Sequence, residues 1–122
     1  MIGYVTLGTN DLKRAASFYD PLLAELGAKR FMETPRSISW AGGPLAGLGV
    51  CLPFDGKPAT VGNGVMVALA VESKAKVDAV YRKAMELGAA DEGPPGPRGA
   101  GGYYAAYFRD LDGNKLNAFF LG

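Results

Sequence analysis

The sequence predicts an α+β fold built from two βαβββ units in tandem, and three observations predict it. The stretch Glu25-Leu26-Gly27-Ala28 returns as Glu86-Leu87-Gly88-Ala89, 61 residues later in a chain of 122, which is the mark of a duplicated unit. Ahead of each copy, a β-rich apolar run gives way to a segment whose apolar residues recur at helical spacing. The chain then ends in two strand-like runs joined by the polar turn around Asp112-Gly113, a hairpin signature. Residues 1–122 are accordingly expected to form one domain of two modules, about 1–53 and 64–122, with a linker over 53–64.

Taken in order, Ile2 to Leu7 alternates Val5 and Leu7 against Tyr4 and Thr6, as a strand with one buried face does. Gly8-Thr9-Asn10-Asp11 then offers an N-cap, and Leu12, Ala15, Ala16, Tyr19, Leu22, Leu23 and Leu26 mark a helix up to Gly27. Pro21 falls inside it, so a kink or two abutting helical pieces is expected. Ala28 to Glu33, Ser37 to Ala41 and Leu45 to Leu52 read as three short strands, divided by Pro35 and by Gly42-Gly43-Pro44. In the second half, Val65 to Val71 is a strand with Val65, Val67 and Leu69 on one face and Met66, Ala68 and Ala70 on the other. Ser73 caps a helix through Val77, Val80, Tyr81, Ala84 and Leu87, which stops at Gly88. Gly93 to Gly102 carries a Gly-X-Y-like period too short for a triple helix. It reads as a surface connection or, with Arg98 facing an anionic ligand, as a lid. Tyr107-Phe108 and Leu116 to Leu121 are the last two strands, and Arg109 and Asp110 beside the turn read as a structural pair or as solvated.

Composition limits the chemistry. The net charge of +1 is spread over interspersed charges, which recommends neither nucleic acid nor an anionic membrane as partner, and no apolar run is long enough for a membrane helix. The N-terminus lacks a secretion signal and the single Cys51 cannot make an internal disulfide, so a cytoplasmic location is expected. There is no histidine, which removes the usual general base and the commonest metal ligand. Cys51, with no imidazole to activate it, reads as a buried small hydrophobe.

The helix segment Ser17-Phe18-Tyr19-Asp20-Pro21-Leu22-Leu23-Ala24-Glu25-Leu26-Gly27, together with Phe108-Arg109-Asp110-Leu111-Asp112-Gly113-Asn114, resembles the vicinal oxygen chelate superfamily of glyoxalase I, extradiol dioxygenases and bleomycin resistance proteins. The resemblance covers essentially the whole chain. It implies that each unit curls its mixed sheet into a half-barrel with the helix outside and a ligand cleft inside, and that the protein is a homodimer. Metal-dependent members carry histidine on the first strand of one or both units and glutamate after the final turn. Those places hold Tyr4, Met66 and Asn117 here, and a fourth falls within Val50-Cys51-Leu52. A phenol, a thioether and a carboxamide are poor ligands for the family's divalent ion, so no metal and no other cofactor is expected.

The expected binding residues are Tyr4, Met66, Asn117, Trp40, Tyr104 and Arg98. Each also has a plain structural role open to it: Tyr4 and Met66 as packing, Trp40 as core, Tyr104 as one of a sheet-packing stripe with Tyr103 and Tyr107. The first functional reading is a metal-free relative that binds a small, partly apolar molecule in its cleft, as bleomycin resistance proteins do. The alternatives are a lyase, isomerase or dioxygenase, with Tyr4 as the proton-transferring group in a metal-free version, and a dimeric interaction protein that binds no ligand.

Overall fold

The structure, a computed structural model, describes residues 1–43 and 46–122. It divides into two compact units, Met1–Val61 and Gly62–Gly122. The first contains β1 (Tyr4–Gly8), α1 (Leu12–Ala24), β2 (Lys29–Thr34), β3 (Ser37–Ala41) and β4 (Gly47–Cys51). The second contains β5 (Val67–Ala70), α2 (Lys74–Glu86), β6 (Ala90–Pro97), β7 (Tyr103–Arg109) and β8 (Lys115–Leu121). The two four-stranded sheets have the same topology, β1-β4-β3-β2 and β5-β8-β7-β6. In each, the first strand runs parallel to the last, while the other pairs are antiparallel. This is the expected α+β fold of tandem βαβββ units. Of the strand expected over 45–52 and its preceding break, Pro44 and Leu45 lie outside the described residues.

The repeated Glu-Leu-Gly-Ala stretch encodes the same helix stop twice. Gly27 at φ +75° and Gly88 at φ +96° take the left-handed conformation that a residue with a Cβ resists. The next amide then folds back, from Ala28 to the Leu23 carbonyl and from Ala89 to the Ala84 carbonyl, both at 3.0 Å, as in a Schellman stop. The starts match as well: the Asp11 carboxylate accepts from the Arg14 amide and the Ser73 hydroxyl from the Lys76 amide, each at 3.0 Å.

Each helix covers one face of its own sheet. Ala15, Phe18, Tyr19, Leu22 and Leu23 of α1 are buried, as are Leu7, Ile38, Trp40, Leu48 and Val50 on the strands. In the second unit Val77, Val80 and Ala84 are buried along with Ala106, Phe108, Leu116 and Ala118. α1 continues through Pro21 as one helix and not as two abutting pieces. Proline removes a hydrogen bond there, but the residues that follow, Leu22 and Leu23, are 0% and 3% exposed, and their burial outweighs the loss. Asp20 also secures this turn, accepting from the Arg30 guanidinium and from the Trp40 indole at 2.8 Å.

The glycine- and proline-rich segment corrects a second expectation. Gly93 to Pro97 is the end of β6, with Gly96 opposite Ala105 and Pro97 opposite Tyr104, so only the turn beyond it is a connection. β6 lies at the sheet edge, where prolines without an N–H interrupt no second ladder, and the register shifts on either side of Gly93 absorb the misfit.

Candidate binding site

The β7–β8 hairpin turns on Asp110. One oxygen of its carboxylate accepts from the Asp112 and Asn114 amides and the other from the Asn114 side chain, each at 2.9 Å. The Asp110 amide donates to the Asn114 carbonyl at 2.9 Å, so the turn spans five residues and only Gly113, at φ +88°, takes the left-handed conformation. This replaces the expected pair of Arg109 with Asp110: Arg109 instead bonds Glu92 and the Gly113 carbonyl, and Asp110 is 6% exposed. A glycine after two aspartates signalled the turn, but which aspartate would fold back could be seen only with the backbone closed.

That turn fixes the register of β8. Asn117 lies opposite Tyr107 on β7 and Ala68 on β5, so the three share one face of the sheet, and Lys115 and Phe119 lie on that face as well. Leu116 and Ala118 point the other way, into the core beneath α2. Asn117 is completely buried. Its Nδ2 donates to the Tyr103 hydroxyl at 2.9 Å, and its Oδ1 is buried with no hydrogen-bond partner among the described residues. Tyr103 stacks on Phe119 with ring centroids 5.6 Å apart. Burial pushes the Tyr103 phenol up, against the opposing pull of the Asn117 hydrogen bond. The Arg98 guanidinium and the Lys115 ammonium lie 5.4 and 5.6 Å from the centre of the Tyr107 ring.

The expected site residues are therefore distributed unevenly. Asn117 and Arg98 both belong to this face, Arg98 through Tyr107 and through its bond to the Pro94 carbonyl at 2.6 Å. Met66 is half-exposed, one residue before β5. Tyr104 stands on the opposite face: its hydroxyl donates to Asp78 of α2 at 2.7 Å, and this bond to a carboxylate, followed by burial, raises its pKa. Its neighbour Tyr103 takes the place expected for it. In the first unit Tyr4 and Trp40 are on opposite faces of one sheet, since Tyr4 pairs with Gly47 and Trp40 with Leu48. Tyr4 is 71% exposed, whereas Trp40 is 1% exposed, packed on Tyr19 and bonded to Asp20, which is the position of a core residue. Cys51 is half-exposed on the Tyr4 face, a correction to the expected buried hydrophobe. Tyr103, Tyr107 and Lys115 also belong to this face; strand parity counted from Asn117 predicts Lys115, and the pairing of β7 with β8 adds the two tyrosines.

The donor set does not fit a divalent metal ion of the kind the resemblance implies. The matching positions hold the Tyr4 phenol, the Met66 thioether and the Asn117 carboxamide, with no imidazole or carboxylate. Among the described residues no group of three or more His, Cys, Asp or Glu side chains is arranged to hold a metal. No helix of the described residues is long and apolar enough to cross a membrane.

Comparison with solved structures finds the same architecture widely. A glyoxalase/bleomycin resistance protein from Albidiferax ferrireducens T118 is 35% identical, with a TM-score of 0.93 over 100% of this chain and 99% of that one. Lactoylglutathione lyase from Agrobacterium tumefaciens is 22% identical, with a TM-score of 0.72 over 98% and 92% of the two chains. A glyoxalase/bleomycin resistance protein/dioxygenase family enzyme from Burkholderia phytofirmans PsJN is 17% identical, with a TM-score of 0.76 over 98% of each. The last two likenesses are of fold alone. No curated protein sequence matches the chain. The family model for the Glyoxalase/Bleomycin resistance protein/Dioxygenase superfamily matches residues 1–118, nearly the full length. With the tandem βαβββ units and the Asp110-organised hairpin already in view, this match places the chain in the glyoxalase/bleomycin resistance protein/dioxygenase superfamily.

Proposed function

We propose that this protein is a metal-free member of its superfamily that binds a small, partly apolar molecule against the β7–β8 face of its second unit. The observation that carries this is the buried Asn117 Oδ1, which has no hydrogen-bond partner among the described residues. Leaving such an acceptor unsatisfied costs about 1 to 3 kcal/mol, and a ligand N–H or O–H placed there removes the penalty. Turning the carboxamide end for end reverses the demand from a donor to an acceptor and leaves one end of it equally unmatched. Tyr103 and Phe119 supply aromatic surface beside it, and Arg98 and Lys115 supply positive charge at the Tyr107 side. The poor fit of phenol, thioether and carboxamide to a divalent ion supports binding rather than metal chemistry.

This reading keeps the homodimer and the cytoplasmic setting. Tyr4, Phe31 and Met32 are exposed on the first unit's sheet and offer apolar surface that a second copy can cover; light scattering on the purified protein tests this. The ligand itself is tested by melting-temperature screening with bleomycin, aromatic antibiotics and metabolites, on the native chain and on Asn117→Leu. A compound at a hundredfold excess over its Kd stabilises by about 2.7 kcal/mol. A compound that raises the melting temperature of the native chain but not of the variant supports the proposal. No effect across the panel, or equal effects on both chains, overturns it.

A further inference from the structure

A cavity of about 400 Å³ opens in the first unit where β1 and β4 end, and residues of that unit alone line it. Its floor is the buried Thr9 with Leu52, and its walls include Arg36, Phe54 and Lys57. We propose that this cavity is a second binding site, for a small organic anion with a flat apolar body.

The charge comes from Arg36 and Lys57. The Arg36 guanidinium uses one N–H on the Leu52 carbonyl at 3.1 Å, and neither cation forms an ion pair among the described residues. Among the described residues no carboxylate lines the cavity; the nearby Asp55 accepts from the Lys57 backbone amide at 2.9 Å. Asp11 caps α1 and offsets the positive end of the helix, so the anion preference rests on the two side chains. The apolar part of the ligand has a surface to meet in Phe54, which is 92% exposed although Arg36 lies 5.3 Å from its ring centre. An aromatic ring left this open, beside two unpaired cations and two prolines, matches an aromatic or flat carboxylate better than a free inorganic ion. The loop is also held in advance. Arg36 ties its start at Leu52, the Asn10 side chain accepts from the Ala59 amide at 2.6 Å at its end, and Pro53 and Pro58 stiffen the stretch between.

The test is a nitrogen-15 NMR titration at low salt with benzoate, benzamide and inorganic phosphate as separate probes. Benzoate should shift the amides of residues 52–59 and 9–10 saturably, with affinity falling about tenfold in Lys57→Met and in Phe54→Ala and on addition of salt. Both positions are exposed, so the variants should keep the native melting temperature, and binding is compared on folded protein. The proposal is overturned if benzoate causes no saturable shift, if neutral benzamide binds as well, if phosphate binds as well, or if both variants bind like the native chain.

Discussion

Replacing Asn117 by leucine should leave the protein at least as stable as before, although the residue is fully buried and hydrogen-bonded to Tyr103. Leucine branches at the same carbon and puts methyl groups where the carboxamide has oxygen and nitrogen. Removing the unmatched Oδ1 recovers about 1 to 3 kcal/mol, while losing the bond to the partly exposed Tyr103 hydroxyl costs about 1 kcal/mol. Leucine's extra bulk consumes part of the difference, leaving a net gain of up to about 1 kcal/mol. For a domain of this size that is a rise of up to about 5 °C in melting temperature, measured by calorimetry. Tyr103→Phe alone should destabilise, since it strips the second end of the buried amide. The double variant should be no worse than Asn117→Leu, which makes the pair a double-mutant cycle. A loss of more than about 1 kcal/mol in Asn117→Leu would refute the reasoning, because the carboxamide would then be a satisfied structural group and not one kept at a cost for a ligand.

Asp110→Ala removes the acceptor for two backbone amides and one side-chain amide within a nearly buried turn, and should lower the unfolding free energy by about 3 kcal/mol or more in urea titration. The Asp20 carboxyl is held below its ordinary range, chiefly by the Arg30 hydrogen bond, with burial opposing and the Trp40 indole assisting. The unfolded chain therefore binds the Asp20 proton more readily than the folded one, and the stability this group contributes is present above about pH 4 and is lost as the pH falls through the folded value. Because the ion pair is more than a third exposed, the contribution is under about 1 kcal/mol, and Asp20→Asn should flatten the acid limb by that amount in unfolding followed by the fluorescence of the single Trp40.

What the sequence made legible was local. The copies of Glu-Leu-Gly-Ala announced two helix stops because a glycine at left-handed φ is demanded by the stop itself, whatever packs around it. Strand faces in β1 and β8 followed from alternation. Three misreadings share a cause, which is dependence on a partner strand or on how the chain closes. Gly93 to Pro97 has no strand propensity of its own and becomes β6 only because β7 pairs with it at an edge. Tyr103 and Tyr104 are adjacent and identical, so composition could not say which faces Asn117; the pairing of β7 with β8 decides it. Asp110 likewise gained its role only when the chain closed five residues onto its carboxylate.

The duplication also explains why the proposed ligand site belongs to one unit. In the second sheet Ala68, Asn117 and Tyr107 are neighbours across three strands; the same three places in the first sheet are held by Thr6, Gly49 and Ser39. A Cβ at Gly49 would lie 2.9 Å from the Ser39 hydroxyl oxygen, too close for any side chain without displacement of the serine. The first unit has thus filled the centre of that face with backbone and small polar groups, while the second fills it with a buried amide and a phenol ring flanked by two cations. Identical topology with opposed side-chain chemistry means that the fold alone does not select the ligand. In the proposed reading the second unit is the one chosen because the Asn117 carboxamide oxygen is buried with no hydrogen-bond partner among the described residues.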